Sequence, residues 1–102
     1  MFLRIWEYDA VAETAADFLA VYGATGDWAC LFAESDGFAG TELFRSTGPD
    51  DRFVTVDRWR SYTDWLRFLD RRSDAYEALD RRLGHLTTAQ RMLWEGCRDP
   101  ET

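Results

Sequence analysis

Residues 37–61 read GFAGTELFRSTGPDDRFVTVDRWRS, and the course of the chain is decided within them. Residues 38–46 and 52–59 are both rich in β-formers, with Phe53, Val54, Thr55, Val56 and Trp59 nearly filling the second run. Between the runs, Ser46-Thr47-Gly48-Pro49-Asp50-Asp51 consists of turn formers and is short enough for a hairpin. Ser61 then suits the N-cap of a helix, and Asp64 stands where a carboxylate favours the helix dipole. Strand, hairpin, strand and helix are predicted in that order.

Outward from this stretch, the helix is predicted over residues 62–83, with Tyr62, Trp65, Leu66, Leu69, Tyr76, Leu79 and Leu83 on its apolar face and Gly84 at its end. After a turn from Thr87 to Gln90, residues 91–97 read as a last strand. Toward the N-terminus, residues 2–9 alternate as a first strand. Residues 11–22 place Val11, Ala15, Phe18, Leu19 and Tyr22 on one side of a helix that stops at Gly23, and Asp27 caps a short helical piece carrying Trp28, Leu31 and Phe32. This order predicts an α+β fold, a ferredoxin-like βαββαβ four-stranded sheet with its helices on one face. One domain is expected over residues 1–98, followed by a polar tail at 99–102.

Both faces of that sheet are apolar. Leu3 and Ile5 oppose Phe2, Trp6 and Tyr8; Leu43 opposes Phe38 and Phe44; Val54 and Val56 oppose Phe53 and Trp59; Leu93 opposes Met92 and Trp94. One face is aliphatic, and the other is aromatic with Arg4, Glu42, Thr55 and Asp57 inserted. A single chain has helices for only one face, and burying each large side chain is worth about 1.5–3 kcal/mol. A second sheet across a twofold axis is the expected cover, so a homodimer is expected.

Charge and composition narrow the chemistry. The net charge of −7 is spread along the chain and would repel a phosphate backbone, so no nucleic-acid partner is expected. No apolar run approaches the roughly 18–20 residues of a membrane span. The start, Met1-Phe2-Leu3-Arg4, reads as a strand and not as a signal peptide; a cytoplasmic location without a membrane partner is expected. Cys30 and Cys97 fit no metal or redox spacing and are expected to be reduced core residues. All twelve basic residues are Arg, and there is no Lys and no Asn, which reads as the codon bias of a GC-rich bacterial genome. Schiff-base chemistry on a lysine is thereby excluded, and the lone His85 cannot build a histidine-rich metal centre in one subunit. His85 reads as an exposed turn residue, and no serine has a motif suited to a Ser-His-Asp triad. Arg67, Arg71, Arg72, Arg81 and Arg82 interleave with Asp70, Asp74, Glu77 and Asp80, which reads as a solvated, ion-paired helix face and not a binding patch.

Three stretches carry a family likeness: Phe2-Leu3-Arg4-Ile5-Trp6-Glu7-Tyr8, Gly37-Phe38-Ala39-Gly40-Thr41-Glu42-Leu43 and Asp57-Arg58-Trp59-Arg60-Ser61. From about Phe2 to Cys97 the chain resembles the antibiotic biosynthesis monooxygenase-like members of the dimeric α/β-barrel superfamily. These stretches are signatures of fold rather than of catalysis. The resemblance implies a homodimer whose two sheets close into a barrel, with a cleft between sheet and helices in each subunit that takes small aromatic or polyketide-like molecules. Some members oxidise such substrates with molecular oxygen and no metal, flavin or other cofactor; related members degrade haem; others have no established activity. The Asn, Trp and His of the haem-degrading members would fall near Trp6, residues 68–70 and residues 78–80, where those types are not retained, so haem degradation is not expected.

If the helices cover the aromatic face, Arg4, Trp6, Tyr8, Phe44, Asp57 and Trp59 line that cleft, joined by Trp65 and Phe68 from the long helix. Aromatic walls with a few polar groups suit a small hydrophobic or aromatic ligand. In a cofactor-free oxygenase the substrate must become an electron-rich anion, which calls for a base, a cation and exclusion of water. Asp57 is the candidate base, Arg4 the oxyanion partner and Tyr8 a proton relay, with Trp6, Phe44, Trp59, Trp65 and Phe68 as substrate-binding residues and no metal site. Plainer readings stand beside these: an ion pair between Arg4 and Asp57, a corner anchor at Trp59, and core roles for Trp65 and Phe68. The expected function is a cofactor-independent monooxygenase acting on a small aromatic or polyketide-like substrate. The alternative is a non-catalytic dimer of the same fold that binds a small ligand or is purely structural.

Overall fold

Strand β1 (Phe2–Ala10) runs through the middle of a four-stranded antiparallel sheet in the computed structural model, which describes residues 1–98. The tail expected at 99–102 lies outside the described residues. A 3-10 turn at Ala12–Thr14 leads into α1 (Ala15–Tyr22) and then α2 (Asp27–Phe32). Next come β2 (Phe38–Arg45), β3 (Arg52–Trp59), α3 (Tyr62–Leu83), a second 3-10 turn at Gly84–Leu86, and β4 (Thr87–Cys97). The strand order is β2-β3-β1-β4, the ferredoxin-like arrangement, and the helices pack on one face. Strand β4 begins at Thr87 rather than Arg91, because Thr87, Ala89 and Gln90 pair with Ala10, Asp9 and Tyr8 instead of turning. No helix of the described residues is long and apolar enough to cross a membrane.

The corner from β3 into α3 explains two of the sequence stretches at once. Ser61 Oγ accepts from the Asp64 amide at 3.1 Å and donates to Asp64 Oδ2 at 2.9 Å, so cap and third residue satisfy each other. Arg60 grips the same carboxylate through two bonds of 2.8 and 3.0 Å, which holds the Asp64 carboxyl below the usual carboxylate range. The Arg60 amide donates to Gly37 O at 2.7 Å, and a Cβ on Gly37 would sit 2.3 Å from the Asp64 Cβ. Only glycine lets the start of β2 approach this corner so closely.

The core between sheet and helices is aromatic. Phe2, Phe18, Phe53, Trp59 and Phe68 are its largest fully buried side chains. The Phe32 ring meets Phe38, Trp59, Trp65 and Phe68 at centroid distances of 5.3 to 6.2 Å, the spacing at which edge-to-face contacts add to burial. Helix α3 leaves helical geometry at Arg72 (φ −128°, ψ 22°).

The sheet has three register shifts, one between β2 and β3 and two between β1 and β4, and those at Gly40 and Leu93 change which large side chains face the helices. In β2, Phe38 pairs with Trp59 and Gly40 with Arg58, so one extra residue is accommodated, and Gly40 takes φ 115°, a conformation that favours glycine. Phe38 and Thr41 therefore both turn inward. Phe44, expected in the cleft, instead stands opposite Val54 on the uncovered face and is 51% exposed; Glu42 pairs with Arg58 on that face too. In β4, Ile5 pairs with Trp94 and Trp6 with Met92, which skips Leu93 and sends Trp94 outward. Cys30 and Cys97 are free but exposed and so are not core residues. The uncovered face presents Leu3, Ile5, Val54 and Val56 with half-exposed Phe44 and Trp94, framed by the ion pairs Arg52–Asp9 and Arg91–Glu7.

Candidate active site

Between the sheet and the helices lies a cavity of about 320 Å³. Small-molecule sites commonly span about 300–1,000 Å³, so the space suits a compact ligand. Its sheet wall is built by alternation: Arg4, Trp6 and Tyr8 from β1, Thr55 and Asp57 from β3, and Thr41 from β2. The helices close the other side with Tyr22, Trp28, Phe32 and Tyr76. Asp80 and Gln90, both exposed, mark the mouth.

Asp57 is the chemical focus. Its carboxyl is buried and accepts a 2.6 Å hydrogen bond from Thr41 Oγ1. Burial pushes its pKa up to about 6, against the opposing pull of the Thr41 hydroxyl and the Arg4 charge. Arg4 stands directly opposite Asp57 in the strand register, yet its Nε donates to Glu95 at 3.0 Å. The expected direct pair is thus replaced by two separate partnerships. The Arg4 guanidinium lies 4.2 Å from the Trp65 ring centroid and 5.7 Å from that of Trp6, stacked within the aromatic wall. Burial raises the Tyr8 hydroxyl well above the usual tyrosine range and raises Tyr22 as well, so both remain protonated donors at neutral pH. Among the described residues, Thr55 Oγ1, buried beside Tyr8, and Trp28 Nε1, beside Tyr22, have no partner of hydrogen-bond geometry.

This arrangement can accept a proton near neutral pH. A carboxyl with a pKa of about 6 is mostly ionised at pH 7, and its anion is more basic than an exposed aspartate. A cation sits across the strand pair, and phenol, hydroxyl and indole donors ring the space. Among the described residues no group of three or more His, Cys, Asp or Glu is placed to hold a metal ion.

Of the residues expected at the site, the fold brings Arg4, Trp6, Tyr8 and Asp57 around one cavity. Trp59, Trp65 and Phe68 do not line it; they are buried core behind its wall. Phe44 is on the opposite side of the sheet. Thr41, Tyr22, Trp28 and Tyr76 join the site without having been singled out for it. The apolar stripes of the helices contain Tyr22, Trp28 and Tyr76, whereas Thr41 could be found only by recognising the irregularity at Gly40.

Solved structures share the whole architecture at low identity. SnoaB of Streptomyces nogalater, a cofactor-independent oxygenase, superposes with a TM-score of 0.69 at 21% identity over 98% of this chain and 97% of that one. A variant of MhuD with two manganese protoporphyrin IX molecules bound per active site gives 0.68 at 18% identity, covering 100% and 98%. A dimeric ferredoxin-like protein from an uncultured marine organism gives 0.66 at 14% identity, covering 99% and 90%. At these identities the likeness speaks for fold alone. No curated protein is matched by the sequence. The model of the antibiotic biosynthesis monooxygenase family matches residues 1–82, from β1 through nearly all of α3, and the chain belongs to that family.

Proposed function

We propose that the protein is a cofactor-independent monooxygenase that oxidises a small aromatic or polyketide-like molecule in the cavity between sheet and helices. The observation that carries this reading is Asp57, a buried carboxyl with a pKa of about 6 among aromatic walls. Family membership and the fold shared with an oxygenase are consistent with it. Asp57 would take a proton from an acidic ring carbon of a hydroxylated substrate. The resulting anion is electron-rich enough to reduce molecular oxygen and form a carbon–oxygen bond. Protonation gives a hydroperoxide, and loss of water from it leaves a carbonyl: a CH2 group and O2 become C=O and H2O. Arg4 would stabilise the substrate anion, and Tyr8 would relay protons.

The same reading includes a homodimer. The uncovered sheet face carries Phe44 and Trp94 about half exposed, and covering the remainder is worth about 1 kcal/mol for each. The dimeric ferredoxin-like neighbour supports this mode of assembly. Two free, exposed cysteines are compatible with a reducing, cytoplasmic setting.

One observation favours a second reading, that the cavity holds a small ligand without changing it. The Arg4 charge is already matched by Glu95, which weakens its claim on a substrate anion. Oxygen uptake separates the two. Purified protein offered a panel of hydroxylated anthrone-like aromatics should consume oxygen in the presence of a metal chelator. Asp57→Asn should lower the rate by about 10²–10⁴-fold. Silence across the panel, or an Asp57→Asn variant as active as its parent, refutes the enzyme.

A further inference from the structure

We propose that a second cleft, on the far side of the Phe32–Phe68 wall from the cavity, is a binding site for a phosphate-type oxyanion. The two rings are 5.3 Å apart; Phe32 lines the cavity and Phe68 the cleft. The cleft, about 360 Å³, lies between the segment 34–37 and the first half of α3. Arg60, Arg67, Arg71 and Arg72 line it together with Glu34, Asp36 and Asp64. Four guanidinium groups against three carboxylates make it locally positive on a chain of net charge −7.

The pairing inside the cleft leaves two arginines without a hydrogen-bonded carboxylate among the described residues: Arg67, which only approaches Asp64 as an ion pair, and Arg71. Arg60 and Ser61 already hold the Asp64 carboxylate, and Arg72 is tied to Glu34. The approach of Arg67 to Asp64 is 3.7 Å, beyond hydrogen-bond length. Arg71 has no carboxylate partner among the described residues. Arg67 and Arg71 are four residues apart on one helix, where like charges face each other and oppose helix formation. The helix also departs from regular geometry at the next residue, Arg72, so that Arg71 and Arg72 line the same cleft although they are adjacent in sequence. Two guanidinium groups lining one cleft are relieved by an anion between them. A carboxylate has two oxygens and is filled by one fork, whereas a tetrahedral phosphate group has enough terminal oxygens for both. The remaining volume admits a short group esterified to the phosphate. The arginine run on α3 is therefore only partly the solvated, ion-paired face that its spacing predicts: Arg72 and Arg82 pair across to Glu34 and Asp27, and Arg67 and Arg71 both line the cleft.

The test is a titration of the full chain at low salt with inorganic phosphate, pyrophosphate and phenyl phosphate, followed by amide NMR shifts. Saturable shifts are expected at residues 34–37 and 67–72. Tighter binding of phenyl phosphate than of free phosphate would assign the site to an ester. Combined Arg67→Gln and Arg71→Gln substitutions should weaken binding by at least about tenfold, and Arg81→Gln, outside the cleft on the same helix, should change it by less than about twofold. The exposed positions leave the fold unaffected, which an unchanged urea midpoint verifies, and the shift map of the parent protein stands independently of any variant. Shifts spread over all the arginines, equal losses in the Arg81→Gln control, or no saturation by any of the three anions would overturn the proposal.

Discussion

Replacing Thr41 by Val removes one hydroxyl and leaves shape and volume nearly unchanged, so its effect isolates the 2.6 Å bond to Asp57. A hydrogen bond to a charged group is worth about 1.5–3 kcal/mol, and one to a neutral group about 0.5–1.5 kcal/mol. The ionised carboxylate therefore loses about 1–1.5 kcal/mol more than the protonated form. At 1.36 kcal/mol per pH unit, that raises the Asp57 midpoint by about one unit, from about 6 to about 7. The ionised fraction at pH 6 would fall about fivefold, while at pH 8 it would hardly change. Carbon-13 titration of the Asp57 carboxyl reads the midpoint directly, without reference to any substrate. In oxygen-uptake assays the acidic limb of kcat/KM should move by the same amount, and Thr41→Ser should restore it. An unchanged or lowered midpoint in Thr41→Val would refute the claim that this hydroxyl supports the anion.

Asp57→Asn should flatten the pH dependence of stability. The folded carboxyl titrates near 6, above its ordinary value of 3.8, so the unfolded chain ionises first and stability falls as pH rises from about 4 to about 6. Urea unfolding at pH 4 and pH 7.5 should show the variant losing less across that window than its parent, by up to about 3 kcal/mol; parallel losses would count against a buried, raised carboxyl. Gly37→Ala forces a Cβ to 2.3 Å from the Asp64 Cβ and should cost at least about 1–3 kcal/mol in the same assay. Val56→Glu places a charge in the middle of the uncovered sheet face; sedimentation should find the parent as a dimer and the variant as a monomer. A parent that is a stable monomer at micromolar concentration would dispose of the dimer.

Elements were legible where one local rule operated alone. The turn formers of 46–51, the cap at Ser61 and the glycine at 84 bounded β2, β3 and α3 almost to the residue. Alternation in β1 and β3 placed Arg4, Trp6, Tyr8 and Asp57 on the helix side correctly, because neither strand carries an extra residue between those positions. The expectation failed for Phe44 and Trp94, each lying beyond an inserted residue that resets the alternation. A glycine inside a strand is the usual mark of such a site, and Gly40 carries it; Leu93 has no comparable signal. The helix side of the cavity was less accessible. Whether Tyr76 or Trp65 reaches the open space depends on how α3 lies across the sheet, which periodicity along one helix does not specify.

Both margins of the sheet, β2 and β4, are the strands that carry the extra residues. An unbroken outer strand offers a ladder of free amides and carbonyls on which another molecule can extend the sheet sideways, the first step toward fibrous aggregation. Here the ladder is interrupted next to Gly40 on one side and at Thr88 and Leu93 on the other. Lateral growth is thereby discouraged at both rims, which leaves the broad hydrophobic surface as the one the proposed homodimer would cover, a contact that would close on a pair instead of running on into a polymer.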